Sequence, residues 1–247
     1  VLSEFKHLRI FRTHRDLLLV ASAEPIPIDF AAITARQGQE PFGRALALGW
    51  WAASPAGLWA HYVGGSALAK RVAAQARTVV TDDRNPLEFG FARSVGRTGL
   101  FTLLDLRAEA RAAGEWLPES VSEDVIGPAA LAEETAEIYE APAGLVPLDP
   151  GARSRYAARQ LVNRGLLADA AAEWRRQGGD PLTLRQRLAA AEALAEIGDP
   201  DALRHARAFP PGHDGAAAAV AARFHLRTNN RREALAASAY ALQRMSE

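Results

Sequence analysis

The alternation of hydrophobic and polar residues predicts a short β-rich start followed by a long helical remainder. Residues 8–12 (LRIFR) alternate between apolar and polar side chains, and residues 17–21 (LLLVA) form a continuous apolar run. Residues 13–16 between them have turn chemistry, so the pattern predicts a β-hairpin. A run as apolar as LLLVA is typical of a strand covered on both faces, and an isolated hairpin is marginal in water. We therefore expect another element or another chain to cover this strand.

Helical patterns dominate after the hairpin. Asp29 is placed to cap a helix that ends near Gly38. Residues 67–76 and residues 129–140 each predict one helix, and residues 98–114 form an amphipathic helical pattern that ends at a glycine.

One segment is long and uncharged enough to test for membrane insertion. Residues 45–69 contain no Asp, Glu, Lys or Arg, and their length would suffice to cross a bilayer. Glycine and proline interrupt the segment, so we expect two short buried helices broken near Ser54–Pro55. Its tryptophans, Trp50, Trp51 and Trp59, are interpreted either as core residues or as a surface that faces a partner or a membrane.

An acidic segment separates the two halves of the chain. No basic residue occurs between Arg111 and Arg153. The carboxylates of this segment are Glu115, Glu119, Glu123, Asp124, Glu133, Glu134, Glu137, Glu140 and Asp149. Five prolines punctuate it, so it is predicted to be a linker carrying one helix. The pattern favours a solvated acidic face, and a metal site or a cationic partner is the alternative.

From residue 151 onward the sequence repeats at a fixed spacing. Two sets of residues recur every 32 positions. The acidic set is Asp169, Asp201 and Glu233, and the alanine set is Ala170, Ala202 and Ala234. This period is the length of one helix–turn–helix unit, and the small alanine would let paired helices approach closely. The pattern resembles tetratricopeptide repeats, with Gly or Asn in the turn between helices. Three helix pairs are therefore predicted to share one core.

Composition narrows the classes of function. The chain has 29 basic and 29 acidic residues, so no net charge favours nucleic acid. The charge is uneven, because residues 150–247 hold 15 Arg against 10 acidic residues. The absence of Cys excludes disulfides and thiol chemistry. The histidines have no metal-ligand spacing, and no serine lies in a GxSxG turn. We therefore predict no metal, no cofactor and no hydrolase triad.

The most distinctive string is VVTDDRNPLEFGFAR, residues 79–93. Within it, TDDRNPLEF resembles the TDD-x-P-x-L-E-[FY] signature of the polyamine aminopropyltransferase-like branch of the spermidine-synthase-like family. Asn85 is inserted before the proline relative to the usual spacing. FRTHRDLLLVAS followed by IPID resembles the final antiparallel strands of the same family. Some members carry C-terminal tetratricopeptide-like repeats, which agrees with the tail of this chain.

The resemblance implies an enzyme family, and this chain resembles only the last strands and the helical extension of its members. In the family, a glycine-rich turn in a Rossmann-like core holds the aminopropyl donor, and a carboxylate assists deprotonation of the attacking amine. No strand–GxGxG–helix pattern occurs in this chain, and Gly64–Gly65 is predicted to lie in a helical segment. We therefore predict no catalytic residue here, and we expect the chain alone to form no spermidine.

Two roles stay open for the acidic residues of this string. Asp82 and Asp83 are suited to accept backbone N–H groups or to pair with Arg84 and Arg93, which would fix an irregular crossing at the sheet edge. Alternatively, Asp82, Asp83 and Glu88 face a cationic polyamine, because ammonium groups require carboxylate partners.

The sequence thus predicts a mostly α fold with a small N-terminal β-hairpin module and a C-terminal helical-repeat module. The predicted divisions are residues 1–97, residues 98–150 with the acidic linker, and residues 151–247. The favoured function is a non-catalytic scaffold, derived from a spermidine-synthase-like protein, that binds a protein partner through its helical repeats and its apolar Trp-rich segment. One form of this hypothesis places the complex in a membrane-associated assembly. The alternative is the C-terminal portion of an aminopropyltransferase, with polyamine as a ligand only if a catalytic half exists elsewhere. The compartment stays open, and no signal peptide is expected before the first strand.

Overall fold

The computed structural model describes residues 2–13, 16–75, 103–140, 146–177 and 179–246. Within these ranges it contains thirteen helices and one three-stranded antiparallel sheet near the N-terminus. The predicted mostly α fold with an N-terminal hairpin module is therefore confirmed.

The chain divides into two compact units, and each unit is built from two separate stretches. The first contains Val1–Ile28 and His61–Ser122, and the second contains Asp29–Ala60 and Glu123–Glu247. The three consecutive divisions expected from the sequence stay a prediction.

The first unit is a small sheet covered by helices. Its elements are β1 His7–Arg12, β2 Leu17–Ser22, β3 Tyr62–Gly65, α4 Ser66–Gln75 and α5 Leu103–Ala112. The strand order is β2-β1-β3, and β1 pairs antiparallel with both neighbours, so the predicted hairpin is confirmed. The core residues of this unit are Leu8, Ile10, Val63, Leu68, Leu106 and Ala110.

The glycines of β3 correct one prediction. Gly64 and Gly65 lie in a strand and are followed directly by α4, whereas the sequence predicted a helical segment. The reason is close packing. A Cβ on Gly64 would lie 2.4 Å from Cδ2 of the buried Leu68, so a larger residue would displace that side chain where the strand meets the helix. A four-residue strand of this kind exists only because β1 pairs with it.

The second unit begins with short helices. Their bounds are α1 Phe30–Gln37, α2 Phe42–Gly49, α3 Pro55–Ala60, α6 Glu123–Ile126 and α7 Pro128–Ile138. Asp29 caps α1 as predicted, because its side chain accepts a hydrogen bond from the backbone N–H of Ala32, and Gly38 follows the last turn. The uncharged segment is broken before Pro55 as predicted, and α3 is buried, but α2 buries only Ala47 instead of the whole helix expected. No helix among the described residues is long and apolar enough to cross a membrane.

Three helix pairs complete the second unit. They are α8 Pro150–Asn163 with α9 Leu167–Gln177, α10 Leu184–Glu196 with α11 Asp201–Arg207, and α12 Asp214–Arg227 with α13 Arg231–Ser246. The turn of each pair contains one residue with positive φ, which is 76° at Gly165, 69° at Gly198 and 59° at Asn229. Gly and Asn tolerate this left-handed conformation best, which explains their recurrence at these turns.

The repeated alanines lie early in the second helix of each pair. Ala170, Ala202 and Ala234 are all buried. Helix α10 packs against α8 and α9 on one side and against α11 and α12 on the other, so neighbouring pairs share a core. The equivalence of the three alanine contacts stays a prediction that mutation tests.

The variant Ala202→Leu should lower the free energy of unfolding by roughly 1–3 kcal/mol, because a larger side chain overpacks a closed helix contact. Ala172→Leu is the matched control, since Ala172 is exposed on α9. Thermal and urea unfolding measure both variants. Equal stability of the two leucine variants would refute the predicted repeat register.

Candidate functional site

The acidic residues of the distinctive string lie outside the described residues. This applies to Asp82, Asp83 and Glu88 alike. Their two proposed roles, backbone fixation and polyamine contact, therefore stay predictions.

The three clustered tryptophans have different environments. Trp59 is 2% exposed, and its ring stacks on Phe30 with centroids 6.4 Å apart. Trp51 is 39% exposed and meets the His213 ring edge-on at 5.7 Å. The backbone oxygen of Trp50 accepts a hydrogen bond from Arg185. Trp59 is thus an interior residue, and the partner-facing interpretation stays a prediction for the other two.

The junction of β3 and α4 combines a strand, two glycines and a helix N-terminus, which is a common arrangement for anion binding. Here a side chain of the chain itself fills the anion position. Oε2 of Glu115 accepts the backbone N–H of Leu68 at 2.7 Å, and its other oxygen would lie 3.1 Å from a Cβ placed on Gly65. In addition, β3 is antiparallel to β1, unlike the strands of a dinucleotide-binding unit. This junction is therefore a closed structural contact.

Three carboxylates of the acidic segment are buried rather than solvated, which corrects the predicted solvated acidic face for this helix. Glu133, Glu134 and Glu137 on α7 are each at most 2% exposed. A buried carboxylate is costly unless hydrogen bonds or opposite charges compensate it. The compensation comes from α8 and from the start of α10. We call this group of residues the ionic cluster, and its members are Glu133, Glu134, Glu137, Arg155, Arg159, Thr183, Arg185 and Gln186.

The strongest contact in the ionic cluster joins Glu133 to Arg155. Nε of Arg155 donates to Oε2 of Glu133 at 2.9 Å, and Nη2 of Arg155 donates to Oε1 at 2.5 Å. This is the two-point geometry in which a guanidinium binds a carboxylate best. Nε2 of Gln186 donates to the same carboxylate at 2.5 Å. Glu133 therefore connects α7 with both α8 and α10.

Glu134 and Glu137 are less completely compensated. Nη1 of Arg185 lies 3.3 Å from Oε2 of Glu134, and Oγ1 of Thr183 donates to Oε2 of Glu137 at 2.9 Å. Oε1 of Glu137 and Nη1 of Arg159 are buried without a hydrogen-bond partner. Burial, followed by the negative charge of Glu137, raises the pKa of Glu134 to about 8. Burial likewise raises the pKa of Glu137, against the opposing effect of Arg159.

The ionic cluster is suited to structural linkage rather than to metal binding. Among the residues described, no group of three or more His, Cys, Asp or Glu side chains is arranged to hold a metal ion. Arginines already pair with the carboxylates of Glu133 and Glu134. Sequence reasoning missed the cluster because its partners are 22 to 53 residues apart along the chain. Thr183 also caps α10 by accepting the backbone N–H of Gln186 at 3.0 Å.

The apolar strand β2 is exposed in the described structure, so the expected cover by another element or another chain stays a prediction. Leu17, Leu18, Leu19 and Val20 all have large exposed areas. Alternate residues of a strand point to opposite faces, so both faces of this strand are open. Strand β2 also lies at the edge of the sheet. Natural edge strands commonly carry charges or Pro that block pairing, and β2 carries neither.

A second exposed apolar surface lies on the last helix pair. Leu235 and Leu242 on α13 are each 72% exposed. Ala234 and Ala241 on the opposite side are buried. Residues seven apart on a helix share one face, so Leu235, Ala239 and Leu242 form one outward stripe. We call these three residues the outer stripe.

Comparisons with known proteins add no relative to this picture. No protein-family model, no curated protein and no solved structure matches the chain. The resemblance of residues 81–89 to the spermidine-synthase-like family is untested by these comparisons.

The raised pKa of Glu134 predicts a pH dependence of stability. The folded state retains a proton that the unfolded state releases near the ordinary value of 4.5. The stabilising effect of that proton is full below pH 4.5 and is lost as the pH rises through about 8. In that window the free energy of unfolding should fall with pH, by at most about 1.4 kcal/mol per unit for one proton.

The variant Glu134→Gln should flatten this pH dependence, because glutamine resembles the protonated carboxyl and cannot lose a proton. Urea unfolding at several pH values between 5 and 8 measures the slope. Glu140→Gln is the control, since Glu140 is exposed just beyond the same helix. A wild-type slope that persists unchanged in Glu134→Gln would contradict the assignment.

The exposure of β2 predicts that this apolar strand tolerates substitution by charged residues. The double variant Leu18→Lys/Val20→Lys should keep its free energy of unfolding within about 1 kcal/mol of wild type, because both side chains are already exposed. The double variant should also bind less of a hydrophobic dye than the wild-type chain, because it exposes less apolar surface. Ile10→Lys, at a buried position in β1, should unfold the first unit. Equal destabilisation by both variants would show that β2 is covered in solution.

Proposed function

We propose that this chain is a non-catalytic protein-interaction scaffold that binds a protein partner through its helical repeats. The outer stripe of α13 is the observation that carries the proposal, because it exposes two leucines on the surface of the repeat module. Large apolar side chains exposed together on one helix face are typical of a surface that another element covers.

The energetics support a specific contact. Full burial of a leucine side chain is worth about 1.5–3 kcal/mol, so two leucines supply roughly 3–6 kcal/mol before the costs of association. That amount is typical of the few anchor residues that dominate an interface. The inner side of α13 consists of small alanines packed on α12, so the helix presents its leucines from a fixed support.

The exposed strand β2 supports the scaffold interpretation from the other unit. An uncharged edge strand is suited to pair with an extended segment of another protein. Two apolar surfaces, one on a strand and one on a helix, are suited to two different kinds of partner. The proposal includes an origin in the spermidine-synthase-like family, for which residues 81–89 are the support.

Affinity purification with identification of the bound proteins tests the proposed function. The wild-type chain should capture at least one identified protein that the double variant Leu235→Gln/Leu242→Gln does not. Ala236→Gln is the matched control, because Ala236 is exposed on the same helix outside the outer stripe. Both variants should keep the wild-type melting temperature within a few degrees, since the changed positions are exposed. Identical sets of captured proteins for all three chains would contradict the proposal.

A further inference from the structure

We infer that the outer stripe of α13 binds an amphipathic helix whose apolar face is flanked by carboxylates. The inference rests on the proposed function and names the class of partner. Two features of α13 support it, which are the spacing of its exposed leucines and the charge beside them.

The spacing fits a helix. Leu235 and Leu242 are seven residues apart, which places them about 10.5 Å apart along the helix axis. Ala239 and Ser238 lie between them, and both are small and exposed. A ridge of two leucines separated by small residues leaves a shallow depression that receives the apolar side chains of a second helix. The same seven-residue interval repeats along any amphipathic helix, so partner and stripe match in period.

The charge beside the outer stripe is positive and uncompensated. Arg231 lies one turn before Leu235 on the same face, and Arg232 lies on its other side. Both are exposed, and neither pairs with a carboxylate of the described residues. By contrast, Arg223 and Arg227 on α12 both pair with Glu196 of α10. The stripe therefore presents two arginines that are available to an acidic partner.

The same charges disfavour a second copy of this chain as the occupant. The acidic residue that α13 carries in its described length is Glu233, two residues before Leu235 and therefore off the stripe. Pairing of two copies of α13 along their stripes would leave the four arginines without carboxylates. An acidic partner helix avoids this repulsion and supplies charge-assisted hydrogen bonds to the guanidinium groups.

Fluorescence anisotropy with designed helical peptides tests the inference. One labelled peptide of about 20 residues carries Leu on one face at helical spacing and Glu on both flanks. A second replaces every Glu with Lys, and a third is a scrambled version of the first. The 247-residue chain should bind the Glu peptide at least about tenfold more tightly than the Lys peptide, and added salt should reduce the difference.

Two variants locate the binding. Leu235→Gln/Leu242→Gln should weaken the Glu peptide at least about tenfold, since each lost apolar anchor counts for a factor of that order. Arg231→Glu/Arg232→Glu should reverse the preference, so that the Lys peptide binds more tightly. Arg164→Glu is the control, because Arg164 is exposed at the end of α8 and should leave the preference unchanged.

The outcomes separate the inference from the proposed function. Equal binding of the Glu and Lys peptides would overturn the claim that the partner is acidic. If a protein is still captured in a way that depends on Leu235 and Leu242, the scaffold function stays supported. Binding of neither peptide, beside such a captured protein, would overturn the helical partner alone. Dimerisation of the chain in sedimentation, abolished by Leu235→Gln/Leu242→Gln, would make a second copy the occupant and overturn the inference.

Discussion

The second unit depends on the compensation of charge in its interior. Glu133 and Arg155 form a two-point ion pair within the ionic cluster, and both side chains are at most 9% exposed. The pair joins α7 to the first helix of the repeat stack, and Gln186 extends the link to the second repeat. The desolvation of such groups is costly, so the attraction is effective only while every partner is in position. This coupling favours one register of α7 on the stack.

A filled interior places the candidate interaction sites on the surface. Arginines pair with Glu133 and Glu134 of α7, Thr183 donates to Glu137, and Glu115 closes the glycine junction of β3 and α4. Strand β2 and the outer stripe of α13 are two apolar surfaces that stay exposed in the described part of the chain. Apolar surface on fixed elements is suited to binding another protein, because little conformational freedom is lost when the partner covers it.

Local features of the fold were predictable from the sequence, and non-local ones were not. The hairpin, the Asp29 cap and the turns at Gly165 and Gly198 follow from chemistry within a few residues, and the structure has them. The burial of Glu133 depends on Arg155, far along the chain, so charge composition alone indicated a solvated face. The exposure of β2 likewise depends on how distant described elements pack, which no local pattern encodes.

A double-mutant cycle on Glu133 and Arg155 tests the central claim about the ionic cluster most directly. Glu133→Leu and Arg155→Met are measured singly and together by urea unfolding. Each single variant should lose about 3–5 kcal/mol, because it leaves one buried charge unpaired, and the double variant should lose much less than the sum. Losses that simply add would contradict the claim that this pair links α7 to the repeat stack.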